Sequence, residues 1–318
     1  MVFVEQRKKN ENIYYYHCKN FRLNSKVKKL SIYIGKDKST AYDFSKIKES
    51  IKELSKREVD LTLENYKLEG LTFSNDLVNT CLFNSITFSQ IKQYDRNFSN
   101  KIDFLFNLNF IYNSNSIEGS RISIEEVNNI LKSKKTNHRD KNEIQEVLNS
   151  MECQKYFREG FRFNLSSIKK LHKILTKDLF ENGKPYVQGF KKRNIVVGFD
   201  ARETTSPGLV KSELEKLFEW YKESKKKEFS LKLAFEFYFR FELIHPFEDG
   251  NGRIGRMLMN KILEDLNLMP IIIFTQNSES HHRAFVRGEK GNMKYYYDFM
   301  FKQYRKTFEN FYFNEFEI

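Results

Sequence analysis

The chain has 318 residues, 40% of them hydrophobic and 31% charged, and 55 Lys and Arg against 42 Asp and Glu leave a net charge of +13. Such a length corresponds to two domains or to one large domain with an appendage, and the positive surplus favours a polyanionic partner such as a nucleotide or nucleic acid. No apolar run approaches the roughly 18 residues of a membrane helix. The opening MVFVEQRKKN lacks the order of a secretory signal, and three scattered cysteines, Cys18, Cys81 and Cys153, build neither a disulfide framework nor a CxxC metal site. A cytoplasmic protein with reduced thiols is expected.

Residues 1–38 hold ten Lys and Arg against Glu5, Glu11 and Asp37, which places seven of the thirteen surplus charges at one end. Within 12–34, aromatic and β-branched residues dominate, broken at Asn24-Ser25 and stopped at Gly35, the pattern of two or three short strands. Tyr14, Tyr15 and Tyr16 are expected as strand residues. From about residue 41 the pattern turns helical, with Ile47, Ile51 and Leu54 at helix spacing, and a soft boundary falls near 70–85. The division is therefore a basic, β-containing region over 1–80 and a helical domain over 85–318. Ser123 and Glu126 form a capping box ahead of Val127, Ile130 and Leu131. Residues 186–210 interrupt the helices with Gly189, the β-rich Ile195-Val196-Val197, Gly198 and a Ser-Pro-Gly break, and predict an inserted hairpin.

The most informative stretch runs from Leu243 to Arg256, LIHPFEDGNGRIGR. A helix before His245 is ended by Pro246, Asp249 to Gly252 make a tight turn, and a new helix begins. A glycine turn feeding a helix N-terminus is an anion site, because unpaired amides and the positive end of the dipole converge there. Arg253 and Arg256, three apart on one face, add two guanidinium forks suited to phosphate oxygens. Asp249 offers one hard oxygen of the kind magnesium takes beside phosphates and water. His245 can accept a proton near neutral pH. Each feature alone has an ordinary explanation as packing, turn or solvated surface; a chance match to all eight fixed positions is on the order of 10⁻⁸.

Residues 245–256 resemble the signature H-x-F-x-[DE]-G-N-G-R-x-x-R of the Fic family, whose members are helical domains that move AMP from ATP onto a Ser, Thr or Tyr hydroxyl of a protein and release pyrophosphate. The resemblance implies a mainly α fold with a Fic-type helical core and a β-hairpin flap, with ATP and a target protein as partners and Mg²⁺ as cofactor. It also implies the roles. His245 deprotonates the target hydroxyl, Phe247 anchors the loop, and Asp249 holds the metal. Gly250, Asn251 and Gly252 line the anion hole, Arg253 and Arg256 take the β- and γ-phosphates, and Asn260, one turn on, contacts the adenosine.

Upstream, Ser114-Asn115-Ser116-Ile117-Glu118-Gly119 is similar to the family's inhibitory motif [ST]-x-x-x-E-[GN], which implies that Glu118 pairs with Arg256 and blocks the γ-phosphate. On the residues alone it also reads as a helix end with Gly119 as cap and Glu118 in solvent. Asn194, Ile195, Val196, Val197 and Gly198 occupy the place of the family's flap, which docks a target segment by strand addition. One departure is His281-His282, which stands where relatives carry a tyrosine pair of the adenine pocket. His17, His138 and His172 have no identifiable partners and are expected to be structural. The implied function is a protein adenylyltransferase acting on a target protein and on itself, restrained by Glu118. Removal of AMP from a modified protein, and nucleic-acid binding through the basic N-terminal region, are the alternatives; a homodimer is left open.

Overall fold

A computed structural model of the chain describes residues 2–23, 26–65, 75–94, 96–197, 202–225 and 230–311. Three antiparallel strands open it, β1 (Val2–Lys9), β2 (Asn12–Leu23) and β3 (Lys26–Gly35), in the order β1-β2-β3. The strand expectation needs two corrections: β1 lies outside 12–34, and β2 and β3 are long, with 12 and 10 residues. Lysine and arginine in β1 mask its alternation, yet an edge strand tolerates such charges, and β1 pairs with β2 along its whole length from Val2↔Lys19 to Lys9↔Asn12. The turn at Asn24-Ser25 lies outside the described residues.

One face of this sheet packs on α1 (Lys38–Ala41) and α2 (Phe44–Asn65). Ile47, Ile51 and Leu54 form the buried stripe of α2, as their spacing requires. His17 joins strand to helices, bonding to Ser50 Oγ at 2.8 Å and to the Ala41 carbonyl at 2.7 Å. Buried Lys19 pairs with Glu58.

The remaining helices are α3 (Asn75–Tyr94), α4 (Arg96–Ile117), α5 (Ile124–Leu131), α6 (Lys141–Glu159), α7 (Leu165–Leu175), α8 (Val210–Ser224), α9 (Ser230–Ile244), α10 (Asn251–Asp265), α11 (Ser278–Glu289) and α12 (Met293–Phe311). Between α7 and α8 lie two short hairpins, β4 (Phe180–Glu181) with β5 (Lys184–Pro185) and β6 (Val196–Val197) with β7 (Arg202–Glu203). The inserted hairpin of the sequence reading is therefore present over β6 and β7, preceded by one it did not predict. Gly198 lies outside the described residues.

Apolar on nearly every side, α9 is the central helix, with Phe235, Phe237 and Phe241 fully buried, and it packs against α8, α10 and α12. Its companion α10 buries eleven of its fifteen residues. The helical core thus holds the α9–α10 junction rigidly in its middle, and that junction carries the motif. No helix among the described residues is long and apolar enough to cross a membrane.

Candidate active site at the α9–α10 junction

α9 stops where Pro246 removes the next amide, and its last bond runs from His245 N–H to the Phe241 carbonyl at 3.0 Å. His245 itself sits at φ +48°, a left-handed conformation costly for a residue with a Cβ and held only where surroundings impose it. What imposes it is the packing of the next residues. Phe247 is fully buried and stacks on His172 of α7 with centroids 3.9 Å apart and planes 10° apart. Asn251 Oδ1 accepts the Phe247 N–H at 2.9 Å and Asn251 Nδ2 donates back to the Phe247 carbonyl at 3.0 Å, closing the turn. The expected loop anchor is there, and Asn251 spends its side chain on that closure.

His172 corrects the expectation that it lacks partners. The Gly189 amide donates to its Nδ1 at 3.2 Å, so the proton sits on Nε2, which reaches the Asp249 carbonyl at 3.2 Å. Burial pushes this imidazole down to about 4, keeping it neutral and able to do both. One ring therefore supports Phe247 by stacking and ties Asp249 to the segment before the flap.

Gly250 caps α10 at φ +78°. Gly252, in the first turn, leaves a bare Cα under an anion: a Cβ there would lie 2.3 Å from Glu118 Oε1 and 2.9 Å from Arg256 Nη1. The carboxylate thus occupies the concavity at the helix N-terminus. Glu118 arrives from the end of α4, where Gly119 at φ +102° and the bond from Ser120 N–H to the Asn115 carbonyl end the helix. SNSIEG is a helix end capped at Gly119, as the residues alone suggest, but Glu118 is not in solvent as that reading has it: it pairs with Arg256.

Arg256, 3% exposed, donates to Glu118 Oε1 at 2.7 Å, to Ser114 Oγ at 3.0 Å and to the Ser114 carbonyl at 2.9 Å. Burial works against charge on both partners. Mutual attraction outweighs it, holding Glu118 below the usual carboxylate range and Arg256 above its ordinary value. Arg253 is as deeply placed, between Asp249 at 2.6 Å and Glu146 of α6. The two forks therefore stand already neutralised by carboxylates, rather than open as their spacing suggests. Asp249 remains the more exposed member of its pair, at 45%.

Burial first, then the nearby charges of Lys191 and Arg202, push His245 down to about 4. Lys191 fastens the β6–β7 hairpin to this loop. Its amide donates to the Pro246 carbonyl at 2.9 Å, and Nζ donates to Thr204 Oγ1 at 2.5 Å and to the Ile244 carbonyl at 3.4 Å. From β7, Arg202 reaches the Glu242 carbonyl at 3.3 Å. The edge Val196 stays 55% exposed, with Asn194, Ile195 and Val197 beside it. Asn260 lies deeper, its amide saturated by the backbone of Ile271 at 2.9 Å and 2.8 Å.

His281, for which the residues alone allow either a ring stacked on a base or half of a solvated surface pair, is neither. It is buried in the core, hydrogen-bonds Tyr238 at 3.2 Å, lies parallel to that ring and is pushed by burial down to about 3. Glu146, Glu242 and Lys191 escaped the sequence reading, and His172 entered it only as a structural residue without partners. Only Glu242, one helical turn before His245, had a local signal.

Fold and site together define a helical protein in which the N-terminus of α10 cradles a carboxylate beside a neutral imidazole. Residues 162–263 match the Fic/DOC family. A probable protein adenylyltransferase of Aquifex aeolicus is 31% identical over 104 residues, 33% of this chain and 32% of that protein. The protein adenylyltransferase Fic of Nematostella vectensis is 26% identical over 209 residues, 63% and 47% of the two chains. The crystal structure of a Fic family protein from Desulfovibrio desulfuricans superposes with a TM-score of 0.64 at 20% identity, over 78% of this chain and 77% of that one. The likeness to the Fic/DOC family is carried by residues 162–263, and the chain spans about a third to a half of the length of these two curated relatives.

Proposed function

We propose that the protein is an adenylyltransferase that moves AMP from ATP to a Ser, Thr or Tyr hydroxyl of a target protein, and to itself, under restraint by Glu118. The observation that carries this reading is the convergence of a neutral imidazole, one accessible carboxylate and two buried guanidinium groups on the amide terminus of α10. Phosphate oxygens entering there meet the amides behind Gly250 and Gly252 and take Arg256 in place of Glu118. His245 Nε2 takes the proton of the acceptor hydroxyl, the hydroxyl oxygen bonds to the α-phosphorus, and the bond from that phosphorus to the bridging oxygen breaks, releasing pyrophosphate. The charge that develops is met by Arg253, Arg256 and the helix terminus.

A divalent ion fits this site. Asp249 presents an accessible hard oxygen at the turn, and no group of three His, Cys, Asp or Glu among the described residues could hold a metal alone, so phosphates and water must complete the shell. Asp249 would hold Mg²⁺ there together with phosphate oxygens and water, and the ion would supply neutralisation of phosphate charge. Glu146 also pairs with Arg253, so the buried guanidinium would keep a counter-charge if Asp249 turned to such an ion.

The flap residues Asn194 to Gly198 would receive the target as an added strand. Asn260 would stand at the base of the adenosine pocket. The division into residues 1–80 and 85–318 goes with this reading, the first region serving target selection. Incubation with ATP labelled on the α-phosphate, followed by mass spectrometry of the modified protein, tests the proposal. An added AMP group is expected, and an added phosphate alone would reverse it.

A further inference from the structure

Glu242, near the end of α9, is a buried carboxylate that the mechanism above leaves unused. Its side chain and that of His245 are each 14% exposed, and its Oε2 lies 4.0 Å from His245 Nδ1. Its other oxygen, Oε1, and His245 Nδ1 are both buried without a hydrogen-bond partner. An acceptor and a ring nitrogen so placed, one step beyond bonding distance, are an anomaly in a native interior, where such atoms are paired.

The backbone alternative for Nδ1 is the Glu242 carbonyl itself, which loses its helical donor because residue 246 is proline and already accepts from Arg202 at 3.3 Å. Room for the carboxylate is made by Gly255, where a Cβ would lie 2.8 Å from Glu242 Oε1 and 2.7 Å from the Tyr238 ring. The variable position between the motif arginines is therefore small for a reason the phosphate site itself does not supply.

We propose that Glu242 is a positioning residue for His245, its carboxylate accepting a hydrogen bond from Nδ1–H and so holding the tautomer whose Nε2 is free to take the acceptor proton. That His245 acts as base rests on the adenylyl-transfer reading; the tautomer does not. The charged and titratable groups facing the pair are Lys191 and Arg202 from the flap side, Glu118 from α4, Arg256 from α10 and Tyr238 within α9. Burial holds Glu242 up at about 7 and His245 down at about 4, so near neutral pH a neutral imidazole faces a partly ionised carboxylate. When Nε2 gains the hydroxyl proton, that carboxylate is the counter-charge nearest Nδ1 on α9.

The test is ¹⁵N spectroscopy of the six histidines in the full chain, with His245 assigned by the His245→Ala variant. Wild type should show His245 protonated at Nδ1 and bare at Nε2. Glu242→Gln keeps an acceptor oxygen without charge, so the tautomer should persist while the proton affinity of His245 falls threefold or more, on the order expected for losing a nearby carboxylate. Glu242→Leu should lose the tautomer preference. In a Glu118→Gly background it should lower kcat for transfer about tenfold or more at unchanged KM for ATP. Wild-type shifts and titration in the Leu variant, or in the Gln variant if the Leu variant does not fold, would overturn the proposal. A displaced tautomer together with no AMP transfer by any variant, wild type included, would uphold the pair and overturn the adenylyltransferase reading.

Discussion

Glu118→Gly removes the carboxylate that fills the cradle at Gly252, and its consequences for activity and stability have opposite signs. The bond from Arg256 is 2.7 Å long, with Arg256 3% and Glu118 32% exposed. Hydrogen bonds to charged groups contribute about 1.5–3 kcal/mol, and the glutamate's partial exposure places this one near 2 kcal/mol after screening. If that free energy is what incoming phosphate must displace, its removal raises transfer about thirtyfold, at roughly 1.4 kcal/mol per decade. The same change leaves buried Arg256 on Ser114 without its ion-paired glutamate, so the nucleotide-free variant should melt several degrees lower, at about 2–4 °C per kcal/mol. Saturating nucleotide should restore part of that loss by binding the native state. The assay is the initial rate of AMP incorporation at saturating ATP and Mg²⁺, paired with a thermal melt. Glu118→Gly combined with Arg256→Ala should not be activated, because the brake and the phosphate contact it blocked go together. A single variant no faster than wild type, with its melting temperature lowered, would refute the reasoning and leave Glu118–Arg256 as a structural ion pair.

His245→Ala should abolish transfer while leaving ATP binding, measured by calorimetry, within about threefold of wild type, since the imidazole acts on the hydroxyl rather than on the nucleotide. Gly252→Ala places a Cβ where Glu118 Oε1 now sits, 2.3 Å away; it should expel the carboxylate and yet fail to activate, because phosphate needs the same space. Activation matching that of Glu118→Gly would count against the cradle. With His245 held at about 4, kcat of a variant combining Glu118→Gly with Glu242→Gln, in which the neighbouring carboxylate no longer titrates near 7, should stay flat from pH 8 to 6 where a histidine with an ordinary value would lose activity. Stability also depends on pH. His172, His245 and His281 are held at about 4, 4 and 3 by burial, below the unfolded value of about 6.5, so unfolding takes up protons as the pH drops. Their contribution is complete above about pH 6.5 and fades toward pH 4, on the order of 1–2 kcal/mol each by pH 5. A melting temperature unchanged from pH 7 to 5 would contradict those buried neutral states.

The sequence by itself determined whatever is encoded within one stretch of chain. Pro246, Gly250 and Gly252 fix the helix stop, the left-handed cap and the bare Cα through their own covalent geometry, so the α9–α10 turn was legible before any packing was known. Ser123 likewise announced its cap, and Ile47, Ile51 and Leu54 their buried stripe. Even Glu118 and Arg256, 138 positions apart, could be paired, but through resemblance rather than through anything in the intervening residues. Tertiary structure decided the partners that no local spacing records. It set Glu146 against Arg253, the His172 ring beneath Phe247, the Asn260 amide on Ile271 and Lys191 across three carbonyl and hydroxyl oxygens of the flap and loop. It also turned His281 inward, where the sequence allowed an exposed ring. The physical reason is common to these cases. A buried charge or amide must find its counterpart wherever folding brings one within about 3 Å, and which element supplies it depends on how the helices cross, a property of the whole core rather than of any segment.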